Sequence, residues 1–132
     1  MNNEKFKIIT LVKEFIIAID KYLINFPKKE IELKQEIKKR GWELLFDVNE
    51  ANITSNYSKR LELIESSIAL IKQLDFLINI CAEKQIINYK KYYKFGEKLE
   101  QIIRYLVAWL NSTKKVIGWF LFLASSKNRN RA

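Results

Sequence analysis

The chain contains very few residues that break helices, since only three glycines and one proline occur among its 132 residues. Apolar residues recur instead at spacings of three and four over long stretches, which places them along one face of an α-helix. This pattern is poorly suited to the turn-dense sheets of an all-β protein. The length is that of one compact domain. The sequence therefore predicts a few long helices packed on one another.

Four helices are predicted, covering about residues 4–26, 28–52, 57–83 and 88–111. Pro27 ends the first helix, because the residue before a proline disfavours helical geometry. Gly41 and Asp75 fall on core faces of the second and third helices. Asp75 is expected to bond a tyrosine hydroxyl or Ser67 across the bundle, or else to face a polar channel in an oligomer. Because the connections are short, we expect an all-α, antiparallel up-down-up-down four-helix bundle. Residues 1–113 would form this bundle, and residues 114–132 a less regular tail, first apolar and then basic.

Several predicted helices carry a second apolar stripe on the side away from the expected core. Isolated apolar surface residues are ordinary, but a contiguous stripe usually marks an interface. We therefore expect a homo-oligomer, in which Leu70→Asp would lower the oligomeric state and leave helicity largely intact. The candidate interface residues are Trp42, Phe46, Leu63, Leu70 and Leu77; Ile53 extends the stripe of the second helix, and Phe6, Ile17 and Ile24 form a sparser stripe on the first.

The net charge of +9 is concentrated near the C-terminus, where residues 85–132 carry ten Lys or Arg against two Asp or Glu. Part of this excess lies on one side of the fourth helix, bordered by Tyr89 and Tyr93. A solvated lysine face is the plain interpretation, and a surface that contacts phosphates and stacks on bases is the functional one. The candidate nucleic-acid-binding residues are Lys90, Lys91, Lys94, Lys98 and Arg104.

Most enzyme classes are excluded by composition, because the chain has no histidine and a single cysteine, Cys81. Neither a Cys/His zinc site nor a Ser-His-Asp triad can be built from these residues. Phosphate-binding and dinucleotide-binding glycine loops are also missing from the sequence. We therefore expect a non-enzymatic protein without cofactor or metal, with Cys81 an inert thiol in a reducing, cytoplasmic compartment. The most apolar run, residues 116–124, is too short to span a bilayer.

The order of motifs resembles the accessory variability determinant (Avd) proteins of diversity-generating retroelements, which are related to the ribosomal intervening-sequence proteins. The similarity covers about residues 8–115. It comprises the entry FPKKEIELKQEIKKRGWELLFDVNEANI, the long third helix SKRLELIESSIALIKQLDFLINICAEKQIIN and the tyrosine-rich NYKKYYKFGEKLEQIIRYLVAWLNSTKK. Ile103 and Ala108 stand where Avd proteins tend to have small residues or glycine. The Asn-Ile-Ala-Glu-Gly signature of the intervening-sequence branch is replaced by Asn-Glu-Ala-Asn-Ile, which favours the Avd branch.

The resemblance implies a pentameric, positively charged bundle that binds RNA or DNA with low sequence specificity. It also implies association with the retroelement's reverse transcriptase, whose error-prone cDNA synthesis the bundle would support. A membrane partner is not expected. Two alternatives stay open: an intervening-sequence-type bundle with the same fold and no established activity, and a membrane-surface protein. The latter would use Trp109, residues 116–124 and Lys114 with Lys115 as an interfacial anchor.

Overall fold

The computed structural model describes the backbone of residues 2–130 and the side chains of residues 7–127, and every regular element in this part of the chain is helical. The elements are α1 (Asn2–Leu23), a 3₁₀ turn (Lys28–Glu30), α2 (Ile31–Ile53), α3 (Tyr57–Glu83) and α4 (Tyr89–Asn130). α2 packs between α1 and α3, and α4 packs on both α3 and α1. The chain is therefore a four-helix bundle, which confirms the all-α fold class.

The helix ends at the short connections are capped by hydrogen bonds between residues that are close in sequence. Asn56 and Asn88 precede α3 and α4, and their side-chain oxygens accept hydrogen bonds from the backbone N–H groups of Lys59 and Lys91, at 3.1 and 2.8 Å. At the end of α3, Gln85 adopts a left-handed φ of 63°, and the N–H of Ile86 donates to the Cys81 carbonyl at 2.8 Å. These bonds satisfy backbone groups that helix ends otherwise leave unpaired.

The core runs through all four helices. Phe15 of α1, Leu44 of α2, Ile71 of α3 and Ile102 of α4 are each fully buried, and the Phe15 ring meets the Phe95 ring edge-on at 6.0 Å. Residues of this kind supply most of the stability of a bundle, at about 1.5–3 kcal/mol for each fully buried side chain. The periodic apolar positions of the sequence therefore do form one core.

Asp75, the polar residue on the core face of α3, is half-buried and has a tyrosine partner. The Tyr92 hydroxyl donates to the Asp75 carboxylate at 3.4 Å, which confirms the first of the two expected partners. Ser67 is buried and donates instead to the Leu63 carbonyl at 2.8 Å. Gly41 is also buried, with Ile16 of α1 close to the position that a Cβ would occupy.

The leucine stripe of α3 does not lie on an outer face, so this part of the sequence prediction was wrong. Leu70 is buried in the core, and Leu63 and Leu77 are half-buried against it. Ser66 and Gln73, which share a helix face with Leu70, hydrogen-bond to Asp47 and Arg40 of α2 at 2.7 and 3.0 Å. The stripe therefore faces α2. Because α3 has a neighbour on each side, its buried arc is wider than one stripe.

α4 is much longer than predicted, since it continues to Asn130 instead of ending near Asn111. Thr113 is compatible with this continuation, because its buried hydroxyl donates to the carbonyl of Trp109 within the same helix, at 2.8 Å, and so does not need another partner. Beyond it, Gly118 is the only helix breaker before the described side chains end at residue 127, and one glycine costs only about 1 kcal/mol. The expected irregular tail is thus helical through residue 130, and residues 118–125 are exposed.

No helix among the described residues combines the length and the hydropathy that a membrane span requires.

Arg60 is a buried charged residue that sequence inspection did not single out. Its guanidinium donates to the backbone carbonyls of Ala51 and Thr54 at 2.8 and 2.6 Å, so it satisfies carbonyls at the end of α2. The same group lies over the rings of Tyr57 and Trp109, at 5.1 and 5.9 Å from the ring centroids. Arg60 therefore ties the end of α2 and the start of α3 to the middle of α4.

Leu70→Asp is expected to unfold the bundle, because it places a carboxylate in the core between α2 and α3. The loss should be about 4 kcal/mol or more of unfolding free energy, measured by urea denaturation. Phe76→Asp, on the same helix at a position that is 65% exposed, is the matched control and should change stability little. If the Leu70→Asp variant folds normally, the leucine stripe of α3 lies on an outer face of the bundle and its assignment to the core is wrong.

Arg60→Met is expected to lower the unfolding free energy by about 2–4 kcal/mol, because it removes two charged hydrogen bonds and leaves two carbonyls without donors. Lys59→Met is the control, since Lys59 makes an exposed ion pair with Glu50 of a kind worth about 1 kcal/mol or less. Equal losses in the two variants would contradict a structural role for Arg60.

Candidate nucleic-acid interface

The basic surface of α4 begins in its first turn and follows a row spaced by four residues. Lys90, Lys94 and Lys98 are all exposed, and Arg104 is exposed farther along the helix. Among the described side chains, none of these four residues forms an ion pair or a hydrogen bond with a carboxylate. Successive lysines lie about 6 Å apart along the helix axis. The row therefore presents three cationic groups to solvent without an internal partner.

Lys91 differs from the other four basic candidates, because the structure turns it toward α1. It is half-buried, and its ammonium lies 4.8 Å from the centroid of Tyr22 and 5.5 Å from that of Phe95. A cation over the face of an aromatic ring is attracted by the ring's quadrupole. Lys91 thus contributes to the packing of α1 on α4. The candidate nucleic-acid interface then consists of Lys90, Lys94, Lys98 and Arg104.

The tyrosines at the start of α4 fall into two environments. Tyr89 and Tyr93 are 51% and 64% exposed, which leaves their rings accessible beside the lysine row. Tyr92 is half-buried, and its ring lies 5.6 Å from that of Tyr93. Burial and the neighbouring Asp75 carboxylate raise the pKa of Tyr92. Two rings are therefore placed to stack on a ligand, while the third belongs to the α3–α4 contact.

Carboxylates border the basic surface on the side of α3. A groove of about 520 Å³ runs between α3 and α4. Its lining includes Asp75, Glu97, Glu100, Tyr92 and Gly96. Lys72 of α3 also lines this groove, so three carboxylates face one lysine there. The lysine row on the outer side of α4 is therefore the more favourable position for an anionic ligand.

Among the described residues, the acidic side chains and the single cysteine are the candidates for a metal site and for a nucleophile. No cluster of three or more His, Cys, Asp or Glu side chains is arranged there to hold a metal ion. Cys81 is buried, and burial, assisted by the charge of Glu30, raises the pKa of its thiol to about 11. Because the thiolate is the reactive form of cysteine, this thiol is a poor nucleophile at neutral pH.

Of the five candidate residues of the oligomer interface, only Trp42 and Phe46 of α2 are exposed. Trp42 and Phe46 are 47% and 65% exposed, and their rings lie 6.4 Å apart. Ile53 extends this apolar face to the end of α2. On α1, Ile17 and Ile24 are also exposed, while the side chain of Phe6 lies outside the described residues. The three α3 leucines pack within the bundle, as described above.

No family model, no curated protein and no solved structure matches this chain. The likeness to Avd proteins therefore rests on the motifs and helix order of the sequence itself. The Arg60 contacts escaped sequence inspection, and no local signal pointed to them. The apolar run at residues 116–124 was singled out from the sequence, but its place on an exposed helical continuation of α4 was not expected.

Proposed function

We propose that the chain is a non-enzymatic, nucleic-acid-binding four-helix bundle that serves as an accessory protein of a diversity-generating retroelement. The observation that carries this proposal is the exposed row of Lys90, Lys94 and Lys98, with Tyr89 and Tyr93 beside it. Lysines of this kind bind phosphates by releasing condensed counterions. Exposed tyrosine rings add stacking on unpaired bases.

The bound nucleic acid would be selected by charge and shape more than by sequence. Lysine ammonium groups contact phosphates as point charges, and phosphate contacts position a ligand without reading its bases. Base-edge recognition needs a set of Arg, Asn or Gln side chains directed at the grooves, and among the four interface residues only Arg104 is of this kind. We therefore propose binding of both structured RNA and DNA with low sequence specificity.

The accessory role would be exerted by an oligomer, most simply a pentameric ring like that of Avd proteins. Support comes from the exposed apolar face of α2, where Trp42, Phe46 and Ile53 have no cover. Contacts of Tyr22 with Phe95 and of Lys7 with Tyr105 support an antiparallel, up-down-up-down order of the helices. A ring would repeat the lysine row on each copy, which multiplies a weak contact through avidity.

The reverse transcriptase of the retroelement is the proposed protein partner, and the polymerase chemistry belongs to that partner. Support for this step is the resemblance alone: the Phe-Pro-Lys entry to α2, the long α3 and the tyrosine-rich start of α4. The bundle would hold the RNA template or the cDNA close to the polymerase. Co-purification of the two proteins from cells that express both tests the association.

The oligomer is expected to be visible by light scattering at micromolar concentration, as a mass several times 15.8 kDa. Phe46→Asp should lower this mass while the thermal unfolding curve keeps its shape, because the substitution charges an exposed apolar face. A monomer mass for the wild-type protein would remove the ring from the proposal.

Replacing Lys90, Lys94 and Lys98 together by glutamine is expected to weaken binding of structured RNA and of mixed-sequence DNA. The slope of log affinity against log salt concentration should flatten by about 2–3 for each protomer engaged, because each phosphate contact contributes about 0.7–0.9. Fluorescence anisotropy across a salt series measures both quantities.

The matched control removes the same charge elsewhere: Lys28, Lys29 and Lys38 are also exposed, and their triple glutamine variant should keep the wild-type slope. If the two triple variants behave alike, α4 carries only a solvated lysine face. An unchanged slope in both would move the contacts to the basic residues at positions 127–131.

A further inference from the structure

The far end of α4 exposes a run of large apolar side chains. Trp119, Phe120, Leu121, Phe122 and Leu123 are consecutive and between 38% and 66% exposed. Consecutive helical residues are rotated by about 100°, so these side chains point around the helix and do not form one stripe. The Phe120 ring lies 6.0 Å from the ring of Tyr57, the first residue of α3. The run thus begins where α3 begins and continues beyond it.

This apolar run is framed by basic residues. Lys114 and Lys115 precede it and Lys127 follows it, and all three are exposed. After Glu100 the sequence contains six Lys or Arg residues and no Asp or Glu. An apolar helix end with aromatic residues and a surround of cations complements an anionic surface that has an apolar interior.

We propose that residues 114–127 form an interfacial membrane-binding segment that inserts its apolar part into the surface of an anionic bilayer. The nine residues 116–124 extend about 13 Å along the helix, far short of the roughly 30 Å of a hydrocarbon core. The segment therefore enters one leaflet and does not span the bilayer. Lys114, Lys115 and Lys127 then meet the anionic headgroups.

The structure changes the composition of this anchor from what the sequence suggested. Trp109 is 8% exposed and lies under Arg60, so it cannot reach a membrane. Trp119, at 59% exposure, takes the interfacial position that tryptophan prefers. The anchor is also separate from the lysine row at the opposite end of α4, so it extends the proposed function and does not depend on it.

A lipid surface explains this segment better than a second copy of the chain. Helices that pair with one another bury one stripe and keep the opposite side polar. Here the Trp119 and Phe122 rings stack on one side of the helix, 5.9 Å apart, and Phe120 and Leu121 place further exposed apolar side chains on its other sides. Copies that met through this segment would also bring their lysines together, and like charges at short range repel. A bilayer accepts apolar groups on every side of a helix and attracts the cations.

Flotation of the full-length protein with vesicles tests the proposal. The wild-type protein should float with phosphatidylcholine vesicles that contain phosphatidylserine and much less with phosphatidylcholine alone. Phe120→Ser/Phe122→Ser should reduce the bound fraction at least tenfold. The matched control, Phe76→Ser/Val107→Ser, changes two exposed apolar residues of the bundle that lie outside both the anchor and the apolar face of α2, and it should float like the wild type.

The contribution of the lysine row to vesicle binding must be distinguished from that of the anchor, because lysines bind anionic vesicles without insertion into the bilayer. The glutamine variant of Lys90, Lys94 and Lys98 should float like the wild type at each salt concentration, whereas Phe120→Ser/Phe122→Ser should not. Brominated lipids report insertion directly: they should quench tryptophan fluorescence in the wild type and in Trp42→Phe, and much less in Trp119→Phe.

Three results would overturn the proposal. One is a wild-type protein that does not float with the anionic vesicles, and another is flotation that survives Phe120→Ser/Phe122→Ser. The third is a lower mass of this double variant in light scattering together with no lipid binding by the wild type, which would assign the segment to contacts between copies. Circular dichroism of each variant checks that the bundle remains folded.

Discussion

The organisation of the molecule depends on a mismatch of helix lengths. α1, α2 and α3 contain 22, 23 and 27 residues, and α4 contains 42. At 1.5 Å per residue, α4 is about 63 Å long and its neighbours are about 33–40 Å long. The neighbours can therefore bury the apolar face of α4 over only part of its length. The remaining apolar residues of α4 are therefore exposed to solvent at the far end of the helix.

Arg60 holds together the end of the bundle beyond which α4 extends alone. Its guanidinium binds the last carbonyls of α2, stacks on Tyr57 at the start of α3 and covers Trp109 of α4. A planar fork with several donors can hold two carbonyls and face aromatic rings at the same time, whereas a lysine cannot. One side chain thus aligns three helices at the end of the bundle where α4 continues alone.

α4 carries two surfaces whose chemistry differs although both suit anionic ligands. The lysine row near its start is polar, accompanied by tyrosines and bordered by carboxylates, and binding there would fall steeply with salt. The far end is apolar, framed by lysines, and binding there would retain an apolar contribution at high salt. A single helix could in this way join a nucleic-acid-binding bundle to a lipid surface. The exposed apolar face of α2 is separate from both surfaces of α4 and remains available for self-association.

Much of the fold was predictable because it depends on neighbours in sequence. The three-and-four spacing of apolar residues identifies Ile8, Phe15, Leu44 and Ile102 as core, since a helix brings such positions to one face whatever surrounds it. Asn56 and Asn88 begin helices because their side chains bond the backbone three residues on. The exposed lysine row also follows from spacing alone.

Tertiary structure decided the rest, because burial depends on which helices are adjacent. Leu70 looked like an outer residue and is buried, since α3 has α2 on one flank and α4 on the other. Lys91 looked like a member of the lysine row and packs instead on Tyr22 and Phe95, because α1 lies against that side of α4. The sequence by itself determined four helices, most core positions of α1, α2 and α4, and the excess of positive charge. Which side chains remained for ligands was determined only when the helices packed, because exposure is a property of the whole assembly of helices.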